Sequence, residues 1–269
     1  MLFVVSTERH AAKTSIACAL LARLQHILPV PPAVVRLVET ECLHDEAHDL
    51  VGRDGPRLRA AAGDHIPPLV VSPYRFTGRG PPRVAAERAG VGLTRQDLVS
   101  ALVQAEDFGS MVVVDTEGGI LTAMARDALL VDVCETADAH VLVVAIDDVG
   151  AENSALLAVD ACARRNVKVA GIMLNQAYPR AEATEDPNDF ENHRLIEAYV
   201  STTTPVYPTV PFIAGAKDEN DVISGIVAHL ARHRIVESIL ATIAPTPERS
   251  APGRPASSSP SSDPQTTGP

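Results

Sequence analysis

Six short apolar runs punctuate the chain, at Leu2–Val5, Val34–Val38, Met111–Asp115, Val141–Ile146, Val167–Leu174 and Val206–Val210. Several are almost unbroken rather than alternating, the pattern of parallel strands covered on both faces. Between and after them, apolar residues recur at helical spacing over Lys13–His26, Thr94–Ala105, Ala125–Thr136, Glu152–Arg165, Glu191–Ser201 and Asp221–Ile243. Thr94 followed by Asp97 forms a capping box, in which a hydroxyl and a carboxylate satisfy orphan N–H groups at a helix start. The alternation predicts an α/β fold with a central, mostly parallel sheet flanked by helices on both faces. Residues 2–5, 111–115, 141–146 and 167–174 are expected to be neighbouring parallel strands. The Pro- and Gly-rich stretch Ile66–Pro82 reads as a surface loop near a site mouth.

The pattern stops at Pro245. From there to Pro269 the chain is dominated by Pro, Ser, Thr and Gly, too little apolar surface to offset the entropy of ordering, so 245–269 is expected to be a disordered tail. Residues 1–244 are read as one domain, with no internal repeat. Composition then narrows the function classes. A net charge of −11 disfavours non-specific contact with nucleic acid or anionic membrane. With 3% aromatics and no Trp, an extensive base-stacking surface is improbable. No segment approaches the roughly 18 apolar residues of a membrane span. Cys18, Cys42, Cys134 and Cys162 form no CxxC pair and read as reduced, buried thiols. The expectation is a cytoplasmic protein with no nucleic-acid partner and no membrane, and the small-molecule substrate is left to the motifs.

In such sheets ligands bind at the carboxyl ends of the strands. The first strand runs into Ser6-Thr7-Glu8-Arg9-His10-Ala11-Ala12-Lys13-Thr14-Ser15, and a helix follows. Strand, loop, Lys-Thr and helix are the layout of a phosphate cradle. Lys13 would neutralise β/γ-phosphate charge, the Thr14 hydroxyl would ligate Mg²⁺, and backbone N–H groups through Ala12 and Ser15 would wrap the phosphates. Neither glycine of the usual motif is present, and the competing reading is an amphipathic helix that begins with an exposed Lys-Thr. Two histidine pairs, His44/His48 and His229/His233, have spacings compatible with a metal, but a charged loop and a surface helix are their simpler homes. Asp147-Asp148 reads as a strand end that caps the next helix.

Further motifs follow in a fixed order: Arg36-Leu37-Val38-Glu39-Thr40, His48-Asp49, Pro81-Pro82-Arg83-Val84-Ala85-Ala86, and the strand ending Asp115-Thr116-Glu117-Gly118-Gly119. Then come Asp148-Val149-Gly150-Ala151-Glu152-Asn153, Gly171-Ile172-Met173-Leu174-Asn175 and Pro205-Val206-Tyr207-Pro208-Thr209-Val210-Pro211. Together, over about residues 1–215, they resemble the dethiobiotin synthetase family of P-loop NTPase-like proteins. That family shows Gly-Thr-Asp-Thr-x-x-Gly-Lys-Thr, Lys-Pro-Val-x-Ser, an aspartate, Pro-x-x-Ala-Ala, Glu-Gly-Ala-Gly-Gly, Leu-Gly-x-x-Asn, Gly-x-x-x-Asn and Pro-x-Leu-Gly-x-x-Pro in that order.

The resemblance implies an ATP- and Mg²⁺-dependent closure of the ureido ring of dethiobiotin from 7,8-diaminopelargonate and CO₂, carried out by a homodimer. It implies Thr14, Asp49 and Asp115 as Mg²⁺ ligands, with Lys13 and Arg36 stabilising charge on phosphate and carbamate and Glu8 near the metal. Thr40, Gly118, Gly119 and Gly150 would meet the substrate, and Asn153 would reach it across the dimer interface. Asn175 would read the adenine edge, with Pro208 beside it. The exchanges at 8, 36, 40 and 115 preserve charge or hydroxyl chemistry, whereas Ser6, Ala12 and Thr116 stand where glycines are expected. A Cβ at a positive φ costs roughly 1–2 kcal/mol. Arg9 and His10 are bulky enough either to fill the cradle or to donate to it. Two further readings stay open: a non-catalytic relative that uses the fold for binding or scaffolding, and a related amide ligase of the cobyrinate-synthase type or another P-loop dimer-class ATPase.

Overall fold

The computed structural model describes residues 1–179 and 191–244, so the expected tail lies outside the described residues. Six strands form one sheet: β1 (Leu2–Ser6), β2 (Ala33–Arg36), β3 (Val112–Asp115), β4 (His140–Ile146), β5 (Lys168–Asn175) and β6 (Val206–Val210). Their order is β6-β5-β4-β1-β3-β2, and every neighbouring pair is parallel. The four strands expected to be adjacent are therefore adjacent and parallel. Every residue of β1, β2 and β3 is buried, which is why their sequences are nearly continuous rather than alternating.

Ten helices complete the described residues: α1 (Lys13–Ile27), α2 (Asp54–Ala61), α3 (Pro68–Val71), α4 (Pro82–Arg88), α5 (Arg95–Glu106), α6 (Leu130–Thr136), α7 (Ala151–Ala163), α8 (Asn192–Tyr199), α9 (Glu219–Arg232) and α10 (Ile235–Ile243). The central helix α1 packs against α2 and α9 and is buried nearly all round, Ile16 to Leu21 without a break. The Thr94–Asp97 capping box is present in both directions, with Asp97 N–H donating to Thr94 Oγ1 at 3.3 Å and Thr94 N–H to Asp97 Oδ2 at 2.9 Å.

Three expectations are corrected. The helix expected over Ala125–Thr136 begins at Leu130, because the Asp132 carboxylate accepts the Leu129 N–H at 2.8 Å and starts the helix there. The residues before it form a small antiparallel hairpin, 123–125 with 128–129. The single helix expected over Asp221–Ile243 is two, broken at Arg234, whose φ of 52° is left-handed. The stretch Ile66–Pro82 is no simple surface loop: Ile66, Val70, Val71 and Phe76 are buried, and Tyr74–Arg75 pair in parallel with Val38–Glu39. Three helices, α2, α3 and α4, went unread.

All four cysteines are free and buried. Burial pushes the Cys18 and Cys162 thiols up to about 12 and raises Cys42 and Cys134 as well, so none is a nucleophile near neutrality. No helix among the described residues is long and apolar enough to cross a membrane.

Candidate functional site: a phosphate loop over a buried carboxylate

The parallel register sets Arg36 of β2 and Val4 of β1 on either side of Asp115, the last residue of β3. Asp115 is fully buried, and three donors converge on it. Lys13 Nζ donates to Oδ1 at 2.6 Å, Thr14 Oγ1 to Oδ2 at 3.1 Å and Arg36 Nη1 to Oδ2 at 2.5 Å. Arg36 Nη1 also donates to the Thr116 carbonyl at 2.8 Å, while Nη2 pairs with Glu117 and, at 3.3 Å, with Asp54. From Asp54 the network runs on through Arg57 to Glu219 at the start of α9, and Ser15 Oγ donates to Glu219 at 3.3 Å.

Burial alone would raise the Asp115 carboxyl, but Lys13 and Arg36 outweigh it and hold it below its ordinary value. For Lys13 burial wins: it lies below the ordinary lysine value, with Asp115 opposing the shift and Arg36 reinforcing it. A metal-assisted phosphoryl site needs two cations for phosphate charge and hard oxygen donors for the ion. Lys13, Arg36, Thr14 and Asp115 are such a set. Two buried polar atoms here lack a partner, Thr7 Oγ1 in the loop and Arg36 Nε, and unsatisfied groups of this kind fit a polar ligand.

The loop from Thr7 to Ala12 carries its strain at two places. Ala12, just before α1, has φ 56° and ψ 27°, and His10 has φ 66°. Ser6 and Thr116, the other residues standing for glycines, keep ordinary φ. Ser6 ends β1, and Thr116 Oγ1 donates to the Val4 carbonyl at 3.2 Å. Of the three exchanges only Ala12 therefore needs a left-handed backbone. Glu8, Arg9 and His10 are exposed and make no side-chain hydrogen bond or ion pair with the described residues, so Arg9 and His10 do not fill the cradle. Ala12→Gly is expected to relieve about 1 kcal/mol of strain and raise the melting temperature by roughly 2–4 °C. A calorimetric melt of the variant beside the parent checks this, and an unchanged or lower melting temperature would contradict the strain.

The remaining expected residues divide. Asn175, buried at the end of β5, donates to the Ala11 carbonyl at 3.1 Å and so braces the loop. Gly118 has φ 74°, and a Cβ there would meet Thr122 Oγ1 at 2.3 Å; one on Gly119 would lie 3.2 Å from the Ser6 carbonyl. Gly119 thus lets the β3–α6 segment lie against the loop, and Gly118 lets that segment fold back on its own Thr122. Gly150 caps α7 at φ 84°, and Asn153 is exposed on that helix, near exposed Val149 and Leu157. Pro208 is exposed on β6, its carbonyl bonded to His229 Nε2 at 3.1 Å. Thr40 is half-buried, with no side-chain bond among the described residues. Asp49 is not brought to the cluster. It is exposed in the hairpin pairing 43–44 with 50–51, where Asp49 N–H donates to Asp45 Oδ1 at 2.9 Å. Asp54 at the start of α2 occupies the place beside Arg36 instead. It was missed because no local pattern marked α2, and only the fold shows that Glu39 holds that helix start, accepting from the Asp54 and Gly55 N–H groups at 2.7 and 3.0 Å. Glu117, Arg57 and Glu219 were missed because their partners, Arg36 for the first and each other for the last two, lie far away in the sequence.

A parallel sheet with a Lys-Thr loop entering its central helix defines a P-loop protein. A family model described as "AAA domain" matches residues 1–220. The ATP-dependent dethiobiotin synthetase BioD of Vesicomyosocius okutanii subsp. Calyptogena okutanii (strain HA) is 30% identical over 184 residues, covering 68% of this chain and 82% of that protein. The protein of the same name from Anaeromyxobacter sp. (strain K) is 30% identical over 212 residues, 78% of this chain and 91% of its own. The chain belongs to the dethiobiotin synthetase family of P-loop proteins. Among solved structures, apo McdA from Cyanthece aligns with TM-score 0.53 at 13% identity over 90% of this chain and 98% of that one. The septum site-determining protein MinD of Pyrococcus horikoshii, complexed with Mg-ADP, aligns at 0.50 and 12% over 90% and 93%. These two share the fold alone.

Proposed function

We propose that this protein is an ATP- and Mg²⁺-dependent carboxylating cyclo-ligase that closes the ureido ring of dethiobiotin on 7,8-diaminopelargonate. The observation that carries it is the convergence of Lys13, Thr14 and Arg36 on buried Asp115 at the carboxyl ends of β2 and β3. In this reading ATP would phosphorylate a carbamate oxygen, and the second amine would then attack the carbamate carbon, forming the C–N bond that closes the ring while the phosphorylated oxygen leaves as phosphate. Thr14, Asp115 and Asp54 would hold the ion, with Asp54 in the role first expected of Asp49. Lys13 and Arg36 place positive charge where phosphate and carbamate oxygens gather. Thr7 and the loop N–H groups complete the cradle, Ala12 and Ser15 flank it, and Asn175 and Pro208 frame the base. Glu8 stands over the loop near the metal, and Thr40 with Gly118, Gly119 and Gly150 lines the substrate side. A homodimer joined along α7 belongs to this reading, because exposed Asn153 serves a site only if a second copy meets that face. A cytoplasmic setting goes with it, where ATP and bicarbonate are at hand.

One observation favours a second reading, a non-catalytic relative with weakened nucleotide binding. The loop is strained at His10 and Ala12, and both cations are already spent on Asp115. A single-turnover assay with diaminopelargonate, bicarbonate and Mg-ATP separates the two. Ring closure, from a particle of twice the monomer mass in light scattering, is the expected result. A monomer that binds no Mg-ATP at millimolar concentration would leave the second reading standing.

A further inference from the structure

We infer that Glu39 is a positioning residue for the metal site and sets, through Asp54, how tightly Mg²⁺ is held, an inference that rests on the proposed role of Asp54 and deepens it. The start of α2 shows why a distant residue is needed there. The helix has only eight residues, Gly55 stands in its first turn, and Arg53 at the N-cap makes no side-chain cap bond. A segment so short does not hold its own first turn in water. Glu39 supplies what the neighbouring chain lacks. Its Oε1 accepts from the Asp54 and Gly55 N–H groups at 2.7 and 3.0 Å, and the next residue, Pro56, has no N–H to satisfy. A carboxylate also suits the positive end of the helix.

Glu39 is itself fixed from several sides. It is 2% exposed, its strand residue pairs with Arg75, and Ser72 Oγ donates to Oε2 at 2.9 Å. A Cβ on Gly52 would run into the Glu39 carboxylate, and one on Gly55 into Ser72 Oγ, so the carboxylate lies against bare backbone. Enclosed in this way, with both oxygens accepting from the protein, Glu39 touches neither metal nor substrate and acts only through what it holds. What it holds is Asp54, whose carboxylate meets Arg36 Nη2 at 3.3 Å and Arg57 Nη1 at 3.0 Å. Arg36 keeps Asp115 and Glu117 whatever α2 does, so loosening the helix start displaces the carboxylate and leaves the cation in place. Glu39 stands at the variable position of the Lys-Pro-Val-x-Ser pattern, so this support is a feature of the present chain rather than of the pattern it resembles.

The test titrates Mg²⁺ into the full chain saturated with ATP, by calorimetry, with a thermal melt of each variant beside it. Glu39→Ala should raise the Mg²⁺ concentration at half-saturation about tenfold or more, the usual effect of removing a group that orients a metal ligand, while ATP binding without Mg²⁺ is unchanged. Glu39→Gln, which keeps an acceptor for the two N–H groups, should recover most of the loss. In an Asp54→Asn background Glu39→Ala should add nothing, because the two act as one unit. If Glu39→Ala does not fold, Ser72→Ala carries the test, with a smaller shift in the same direction expected. Equal Mg²⁺ affinity of wild type and the folded variants overturns the inference and leaves the proposed activity intact. A matching loss of Mg²⁺-free ATP binding overturns it too, since the whole site would then have loosened. An Asp54→Asn variant that holds Mg²⁺ as tightly as wild type overturns the role of Asp54 and this inference together. None of these readings requires ring closure, so absence of turnover alone counts against the substrate and not against Glu39.

Discussion

Lys13→Ala is expected to lower the single-turnover rate of ring closure by roughly 10²–10³-fold, the loss typical of removing one preorganised charge from a transferring group. No other described residue duplicates its place: Arg36 shares Asp115 but approaches it from β2, on the neighbouring strand end. Lys13→Arg should not rescue, because a planar fork is bulkier than an ammonium and the site is closed around a side chain that is only 10% exposed. The fold itself should survive, since Asp115 keeps Arg36 and Thr14 as partners. The measurement is a quenched single turnover beside a thermal melt. A variant that keeps more than about a tenth of the wild-type rate would move the phosphate site away from this loop.

Asp115→Ala should do the opposite, and damage the fold before it damages anything else. It strips the ion-pair partner from Lys13 and one of three from Arg36. Leaving a buried cation unpaired costs about 3–5 kcal/mol, which for a chain of this size is roughly a 10 °C fall in melting temperature. The acid limb of stability should change as well. The native Asp115 carboxyl lies below its ordinary value, so its stabilisation is present above the unfolded carboxylate range and is lost as pH falls through the lower native value. The variant should therefore lose less stability than the wild type on acidification below about pH 4. Urea unfolding at neutral pH and near pH 3 tests both parts, and a neutral-pH loss under about 1 kcal/mol would show that the pair is not buried as described.

The parts of the site that local sequence announced are those where chemistry and chain position coincide. Lys13 and Thr14 open α1 directly after β1, and Asp115 ends an apolar run, so strand-end logic alone puts them at one edge of the sheet. Asp49 shows where that logic stops. Asp49, some residues beyond β2, is the aspartate that the resemblance puts in the metal set, but Asp54 is the one that stands beside Arg36. The choice between Asp49 and Asp54 rests on Glu39, which captures the α2 N-terminus from a distant part of the chain. Glu117 is a similar case, since its pairing with Arg36 joins residues 81 apart in sequence.

Sequence alone determined the six sheet strands, most of the helices, the Thr94–Asp97 cap and the phosphate-loop position. Each of these rests on local periodicity or on hydrogen bonds between near neighbours. Tertiary structure decided which carboxylate meets Arg36, where the helix after Ala125 starts, and that Ile66–Phe76 is partly core. It also decided which of the missing glycines matters. The type of residue at 6, 12 and 116 is readable in the chain, but its cost depends on φ, and only Ala12 is held in the left-handed region. Buried ion pairs and backbone strain are set by what the rest of the fold packs around a residue, and no window of neighbouring residues contains that information.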